Sequence, residues 1–146
     1  MNIENVKKSQ VINNLKNDTY ARLGVTKFGV GLMAIKPIPK GTDIFKTTIG
    51  PCKADEWIRL SPKDVKELPK SVKEYVYDFG AVSGGPLSQK GPVVVPKLGM
   101  NTLDVTNYFN HSDTPNCKAK MDKTCFMRFQ SIRDIKKGEE LTYKYD

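Results

Sequence analysis

The chain of 146 residues holds a single histidine, His111. Zinc sites built on paired histidines are therefore excluded. Its three cysteines, Cys52, Cys117 and Cys125, show no Cys-x-x-Cys spacing, so they form no recognisable disulfide framework. No apolar run approaches the roughly 18 residues that a membrane span requires. The opening Met1-Asn2-Ile3-Glu4-Asn5 has no apolar stretch behind it, which argues against a signal peptide. Internal repeats and low-complexity tracts are absent. These gaps set the expectation of an intracellular protein, nuclear or cytoplasmic, without a membrane partner.

What is present is ordinary in bulk: 38% hydrophobic and 27% charged residues, enough for one domain with its own core. The net charge is +8. It has two readings: a solvated lysine-rich surface, or attraction to nucleic acid or another polyanion. The basic residues are spread along the chain, and only Lys7-Lys8 and Lys136-Lys137 are adjacent.

The apolar pattern predicts a mostly β chain with a small helical insertion. Residues 1–19 read as a polar arm with some order from Val11, Ile12 and Leu15. From Tyr20 to Thr48 strand-like segments alternate with Gly24, Pro37, Pro39 and Gly41, the last segment being Asp43 to Thr47. Ser61-Pro62 is an N-cap followed by proline at the first helical position. A second helix starts near Ser71, with Val72, Tyr75, Val76 and Phe79 at helical spacing and Gly80 at its end. The helical insert spans about 51–92 and finishes in a turn-rich loop at 83–92. Val93-Val94-Val95 reads as a short buried strand, Leu103 to Tyr108 as a helical turn, and Cys125 to Phe129 and Glu140 to Tyr145 as closing strands.

Three segments hold residues suited to chemistry. Gly29-Val30-Gly31 enters a strand. Glycines at alternate positions let a backbone approach a ligand closely, although a bulge or tight bend asks for the same residues. Asn107 to Cys117 packs two aromatics, several side-chain amides and His111 into one polar stretch. Such a mixture suits a nucleotide-like ligand, with rings to stack and amides to orient. Tyr143 and Tyr145 stand at i and i+2, on one face of a strand. They are either an aromatic pair in a core face or two phenols aimed into one pocket.

In that order the segments resemble the SET domain. Gly29-Val30-Gly31-Leu32-Met33-Ala34, with Ile38 to Ile44, is similar to the family's opening G-x-G strand and its continuation. Tyr108-Phe109-Asn110-His111-Ser112-Asp113-Thr114-Pro115-Asn116 resembles its aromatic-N-H-S-x-x-P-N motif. Arg133 to Tyr145 is similar to the closing R-D-I-x-x-G-E-E-L-T-[FY]-x-Y motif, and Tyr75-Val76-Tyr77-Asp78 resembles the Y-x-F-D of the family's insert. The likeness covers residues 20–146.

The resemblance implies a β-clip-like fold with a C-terminal pseudoknot, and a protein lysine methyltransferase that uses S-adenosylmethionine and leaves S-adenosylhomocysteine. It implies backbone contacts to the cofactor from Gly29, Val30 and Gly31, and a wall from Tyr75. Asn110 is implied to hold the cofactor's amino group, and His111 to meet the adenine through its backbone. Tyr145 is implied to orient the reacting atoms, and Tyr143 to limit transfer mainly to one methyl. A free lysine titrates near pH 10.4, so at pH 7 the reactive neutral amine is about 4.6 kcal/mol short. Burial in an apolar channel and a nearby sulfonium both lower that pKa, so no carboxylate base is demanded. Chromatin, and a histone tail, are the implied setting. A homodimer and nucleic-acid contact through the basic surface are further partners to expect, and two classes compete: a SET-like binding module without catalysis, and a basic nucleic-acid-binding protein.

The chain also departs from the family pattern. Asn107 stands where arginine is common, which removes one contact to the cofactor carboxylate. Val30 replaces an aromatic. Asp113 stands where many members carry a zinc-binding cysteine, and no cysteine cluster follows, so no metal is expected. The lysine channel then needs another cover: the N-terminal arm, a partner subunit or further residues. A basic tail would need a locally acidic groove, for which Asp55, Glu56, Asp64, Glu67 and Glu74 are candidates unless they only balance neighbouring lysines.

Overall fold

A computed structural model describes residues 3–48, 57–82, 91–121 and 127–145. Cys52, Asp55, Glu56, Cys125 and the expected loop up to Lys90 lie outside them. The chain divides into two compact units, Met1–Lys53 with Phe109–Lys144, and Ala54–Tyr108 with Tyr145–Asp146.

The first unit is built on a four-stranded sheet. Strands β1 (Ala21–Thr26) and β2 (Gly29–Ala34) form a hairpin in which Leu23 faces Leu32 and Val25 faces Val30. Beyond β2 lies the last strand in sequence, β9 (Glu140–Tyr143), antiparallel to β2, and then β6 (Asn110–His111), parallel to β9. A strand late in the chain is thus inserted between an early one and a middle one. Leu32 and Leu141 face each other across the β2–β9 seam and are both fully buried, each burial contributing about 1.5–3 kcal/mol.

Asn116 fastens the insertion. It is 3% exposed. Its Nδ2 donates to the Glu140 carbonyl at 2.8 Å and its Oδ1 accepts from the Thr142 N–H at 2.9 Å, so one amide satisfies a donor and an acceptor of β9. Its own carbonyl accepts from the Ile132 N–H. Strands β7 (Cys117–Met121) and β8 (Met127–Ser131) pair antiparallel between β6 and β9 in sequence, supplying the connection that a parallel pair demands.

The expected strand at Asp43 to Thr47 is absent. Residues 37–45 run as an irregular segment tied down by single bridges, Ile38 to Ile135 and Asp43 to Gln130. Pro37 and Pro39 lack ladder donors, and Gly41 sits at φ +86°, so a continuous strand cannot form. Ile38 and Ile44 are nonetheless buried, with Ile135, Phe109 and Phe129. Cys117 is also buried, and burial pushes its thiol up to about 12, which leaves it unreactive at neutral pH.

The closing Arg133–Glu139 turn is structural throughout. Gly138 takes φ +88°. Both Arg133 Nη atoms donate to Glu139 at 3.2 Å, and the Lys136 N–H donates to Glu139 Oε2 at 2.6 Å. The Arg133 side chain, first, and that N–H hold the Glu139 carboxyl below its usual range.

The amino-terminal arm contains a helix, α1 (Lys8–Asn17). Its apolar residues Val11, Ile12 and Leu15 are 40–62% exposed, so they do not account for its order. Polar ties do: Asn14 Nδ2 donates to the Lys46 carbonyl, and Lys36 Nζ to the carbonyls of Lys16 and Asn17.

The second unit joins two helices to a small sheet. Helix α2 (Pro62–Lys66) starts at Ser61, whose Oγ accepts from the Asp64 N–H while Asp64 Oδ2 accepts from the Ser61 N–H. Helix α3 (Lys70–Phe79) ends at Gly80, where a Cβ would lie 2.5 Å from the Val76 carbonyl oxygen. The middle of the chain is less purely helical than its pattern suggests. Strand β5 (Val93–Pro96) is flanked by β3 (Trp57–Leu60) and β4 (Ala81–Val82), both antiparallel to it. Val65, Val76, Tyr77, Val93 and Val95 form the core of this unit. The expected helical turn before Tyr108 appears as two 3₁₀ turns, Met100–Thr102 and Val105–Tyr108. No helix among the described residues is long and apolar enough to cross a membrane.

Removing the Asn116 amide leaves two β9 backbone groups without partners, at about 1–3 kcal/mol each. Asn116→Ala is therefore expected to lower the unfolding free energy by about 2–4 kcal/mol in a urea titration. A loss below about 1 kcal/mol would show that β9 does not depend on this bridge.

Candidate active site

The four-stranded sheet brings together Gly29, Val30, Gly31, Asn110, His111 and Tyr143. Gly29 leaves the β1–β2 turn at φ +102°, a conformation open mainly to glycine. Gly31 is buried for a different reason. A Cβ there would lie 2.6 Å from Thr26 Cγ2 and 2.7 Å from both Asn110 Nδ2 and Glu140 Oε1. Gly31 therefore serves a close approach of neighbouring strands, and Gly29 a turn at positive φ.

Asn110 is held on its nitrogen side. Nδ2 donates to Glu140 Oε1 at 2.7 Å and to the Val30 carbonyl at 3.2 Å, with Thr26 Oγ1 at 3.5 Å. A reversed amide would set oxygen against a carboxylate and a carbonyl, so the network itself fixes which end is nitrogen. Among the described residues no hydrogen bond is made to Asn110 Oδ1. A free amide oxygen beside a glycine strand fits the ammonium of an amino-acid ligand, and the methionine part of S-adenosylmethionine carries such a group.

His111 pairs with Tyr143 in the parallel ladder, and the next N–H, of Ser112, donates to the Tyr143 carbonyl. The imidazole turns to the surface, with Nε2 3.4 Å from Asp113 Oδ1; Lys144 Nζ lies 3.7 Å from the same oxygen. Its side chain is thus engaged with surface charge, and its backbone with the sheet.

Tyr143 is built into an aromatic cluster. Its ring lies edge-on to Phe109 at 5.4 Å and to Phe129 at 5.2 Å, and those two stack at 4.4 Å with Phe45 edge-on to both. Edge and offset geometries are the favourable ones for aromatic pairs. Tyr145 does not continue the strand. The ladder partner β6 is two residues long and its last bond reaches Tyr143, so strand alternation no longer relates Tyr145 to Tyr143. Tyr145 is half-buried.

In the second unit Tyr75 stands on α3, edge-on to Phe79 at 5.6 Å. Its hydroxyl is hydrogen-bonded to Tyr108, which raises the Tyr108 pKa, with burial adding to the rise. Asn107 Nδ2 donates to the Phe79 carbonyl at 2.9 Å, and Asn107 Oδ1 is buried without a partner among the described residues. It offers an acceptor where arginine would offer a cation, and an acceptor does not bind a carboxylate. Of the acidic groove candidates, Asp64 is committed to the α2 cap and Glu74 lies 4.0 Å from Lys70. Asp64 thus has local structural work, while the exposed Glu74 pair contributes little. No group of three or more His, Cys, Asp or Glu side chains that could hold a metal occurs among the described residues.

Two supporting residues escaped the sequence reading, Glu140 and Asn116. Both lie inside quoted motifs. The signal that could have found them is a polar side chain within segments whose neighbours, Leu141 and Cys117, are apolar and buried.

The SET domain family model matches residues 29–146. No curated protein sequence matches the chain. Among solved structures, a Plasmodium falciparum protein described as a histone methyltransferase aligns with TM-score 0.52 and 19% identity over 88% of this chain and 94% of its own. The methyltransferase domain of human PR domain-containing protein 2 gives 0.54 and 18% over 99% and 86%. A humanized mutant of Chaetomium thermophilum Polycomb Repressive Complex 2, bound to the inhibitor GSK126, gives 0.52 and 21% over 86% of this chain, which spans 15% of that one. At these identities the likeness is one of fold.

Gly31→Ala is expected to push the Asn110 amide off Glu140. Loss of the protected Asn110 side-chain NH₂ signals in heteronuclear NMR would report it, together with a stability loss of about 1–3 kcal/mol. Unchanged signals and stability would mean that the strands have slack at Gly31.

Proposed function

The chain belongs to the SET-domain family, and from that membership we propose that it is a protein lysine methyltransferase that uses S-adenosylmethionine and adds mainly one methyl group to its target lysine. The observation that carries the reading is Asn110, clamped through its nitrogen by Val30 and Glu140 so that its oxygen is left as an acceptor. S-adenosylmethionine would supply an electrophilic methyl group on a sulfonium.

The chain's own residues bind and orient. Gly29, Val30 and Gly31 present backbone to the methionine part, with Val30 lending a carbonyl already shared with Asn110. Asn110 Oδ1 accepts from the ammonium, a bond to a charged group worth about 1.5–3 kcal/mol. His111 contributes its backbone to the adenine side, consistent with an imidazole turned toward Asp113. Tyr75 keeps the role of a cofactor wall that the family likeness implies for it. Tyr145 directs its hydroxyl at the lysine amine, and Tyr143 limits the volume around it. Positioning and exclusion of water then carry the rate, with no base at the channel centre.

A histone tail is the proposed substrate, supported by the description of the Plasmodium protein as a histone methyltransferase. The test is a methylation assay on histones and on a whole lysate, read by mass spectrometry. No S-adenosylmethionine-dependent gain of mass on any lysine would sink the proposal.

Two variants probe the tyrosines. Tyr145→Phe removes one hydroxyl and is expected to lower methyl transfer at least tenfold with an unchanged thermal melt; full activity would remove Tyr145 from the site. For Tyr143→Phe the product distribution is expected to move from monomethyl toward dimethyl or higher, because a hydroxyl that fills space and holds the amine is gone. A wild-type enzyme that makes mainly trimethyllysine would contradict that role.

A further inference from the structure

Asn110 can serve a ligand ammonium only if its amide keeps one orientation. Side-chain amides rotate readily, and either end can donate or accept after a flip. Three atoms face Nδ2: Glu140 Oε1 at 2.7 Å, the Val30 carbonyl oxygen at 3.2 Å and Thr26 Oγ1 at 3.5 Å. Thr26 Oγ1 is the weakest of the three by distance and already accepts from the Phe28 N–H at 3.1 Å. The Val30 carbonyl is a fair acceptor, but it belongs to a strand residue whose side chain is 43% exposed, and water can compete there. The short contact is the one to Glu140, and charge-assisted hydrogen bonds are about twice as strong as neutral ones.

We propose that Glu140 is a positioning residue that holds the Asn110 amide with its carbonyl oxygen free for the ammonium of an amino-acid-bearing ligand. The proposal rests on the S-adenosylmethionine reading above and deepens it.

Glu140 is itself placed by its strand. Its backbone faces Met33 across the β2–β9 pair, and its carbonyl accepts from the buried Asn116 amide at 2.8 Å. The side chain leaves β9 toward Gly31, where any Cβ would come within 2.7 Å of Oε1. Glycine at 31 therefore serves two atoms at once, Asn110 Nδ2 and Glu140 Oε1, and keeps them within bonding distance of each other. A carboxylate in that place can only accept, so it rejects the flipped amide by oxygen–oxygen repulsion. A glutamine could also accept, through its own oxygen, and would preserve the orientation with less force.

The test compares two ligands by calorimetry. S-adenosylhomocysteine carries the amino-acid group, and 5′-methylthioadenosine keeps the nucleoside and sulfur but lacks it. Wild-type protein should bind the first more tightly. Glu140→Met keeps bulk but loses both oxygens. It should lose at least tenfold in affinity for S-adenosylhomocysteine and less than twofold for 5′-methylthioadenosine. Glu140→Gln should recover to within about threefold of wild type. If Glu140→Met does not fold, Glu140→Asp, one methylene too short to reach Nδ2, should show the same selective loss. Equal losses for both ligands, or none, overturn the positioning role while leaving the cofactor reading intact. A wild-type protein that binds neither ligand overturns both.

Discussion

The side-chain amide of Asn116 does in miniature what a strand neighbour would do: it gives β9 one acceptor and one donor, to Thr142 and Glu140, from a position almost without water. A buried amide that satisfies both of its ends is worth far more than its bond count, because each orphaned backbone group would bear its full desolvation cost. β9 depends on it, and through β9 so do the register of Leu141 against Leu32, the parallel pairing of His111 with Tyr143, and the place of Glu140 beside Gly31. The candidate site is a by-product of that fastening. The atoms proposed to face a ligand come from strands β2 and β6, whose backbone ladders are joined through β9 and which touch directly where Asn110 reaches β2.

Motif residues therefore divide into those proposed to face a ligand and those that hold the sheet in place. Arg133, Gly138 and Glu139 close a turn. Ile135 is 1% exposed and bridges to Ile38. Asn116 is a fastener, and Phe109 is the centre of an aromatic cluster that also receives Tyr143. What the sheet leaves for the proposed cofactor contacts is small: a glycine backbone and one amide oxygen.

Where local chemistry decides, the sequence is a sound guide. Ser61-Pro62 opens a helix because capping and a preset φ act within a few residues, and Val93 to Val95 read as a buried strand because burial alone selects them. The mostly β class with a helical insertion follows from the same period counting. What could not be read depends on partners far away in sequence. Strands β3 and β4 are short, and they exist because β5 lies between them. The segment at 43–47 looks like a strand, but Pro37, Pro39 and Gly41 break its ladder before pairing can spread. Helix α1 carries apolar residues that suggest a packed face, yet its order comes from Asn14 and Lys36 reaching backbone carbonyls. At the site, Gly29 and Gly31 are visible as a pair, but not that one answers to a positive φ and the other to a crowded neighbour. Tyr145 is placed on a strand by its spacing from Tyr143 and lies off it, because the partner strand ends first.

Inserting a late strand between an early and a middle one also governs when the first unit can form during synthesis. Leu32 meets Leu141 about a hundred residues downstream, and such long-range pairings are slow because the loop must close before any contact repays it. On the ribosome, β2 and β6 emerge without the strand that joins them. The Leu32 side of the β1–β2 hairpin, and Asn116 with both amide ends unused, must wait in water or be shielded by a chaperone until residue 143 clears the exit tunnel. A stalled or truncated nascent chain would thus lack the candidate site together with the middle of its sheet.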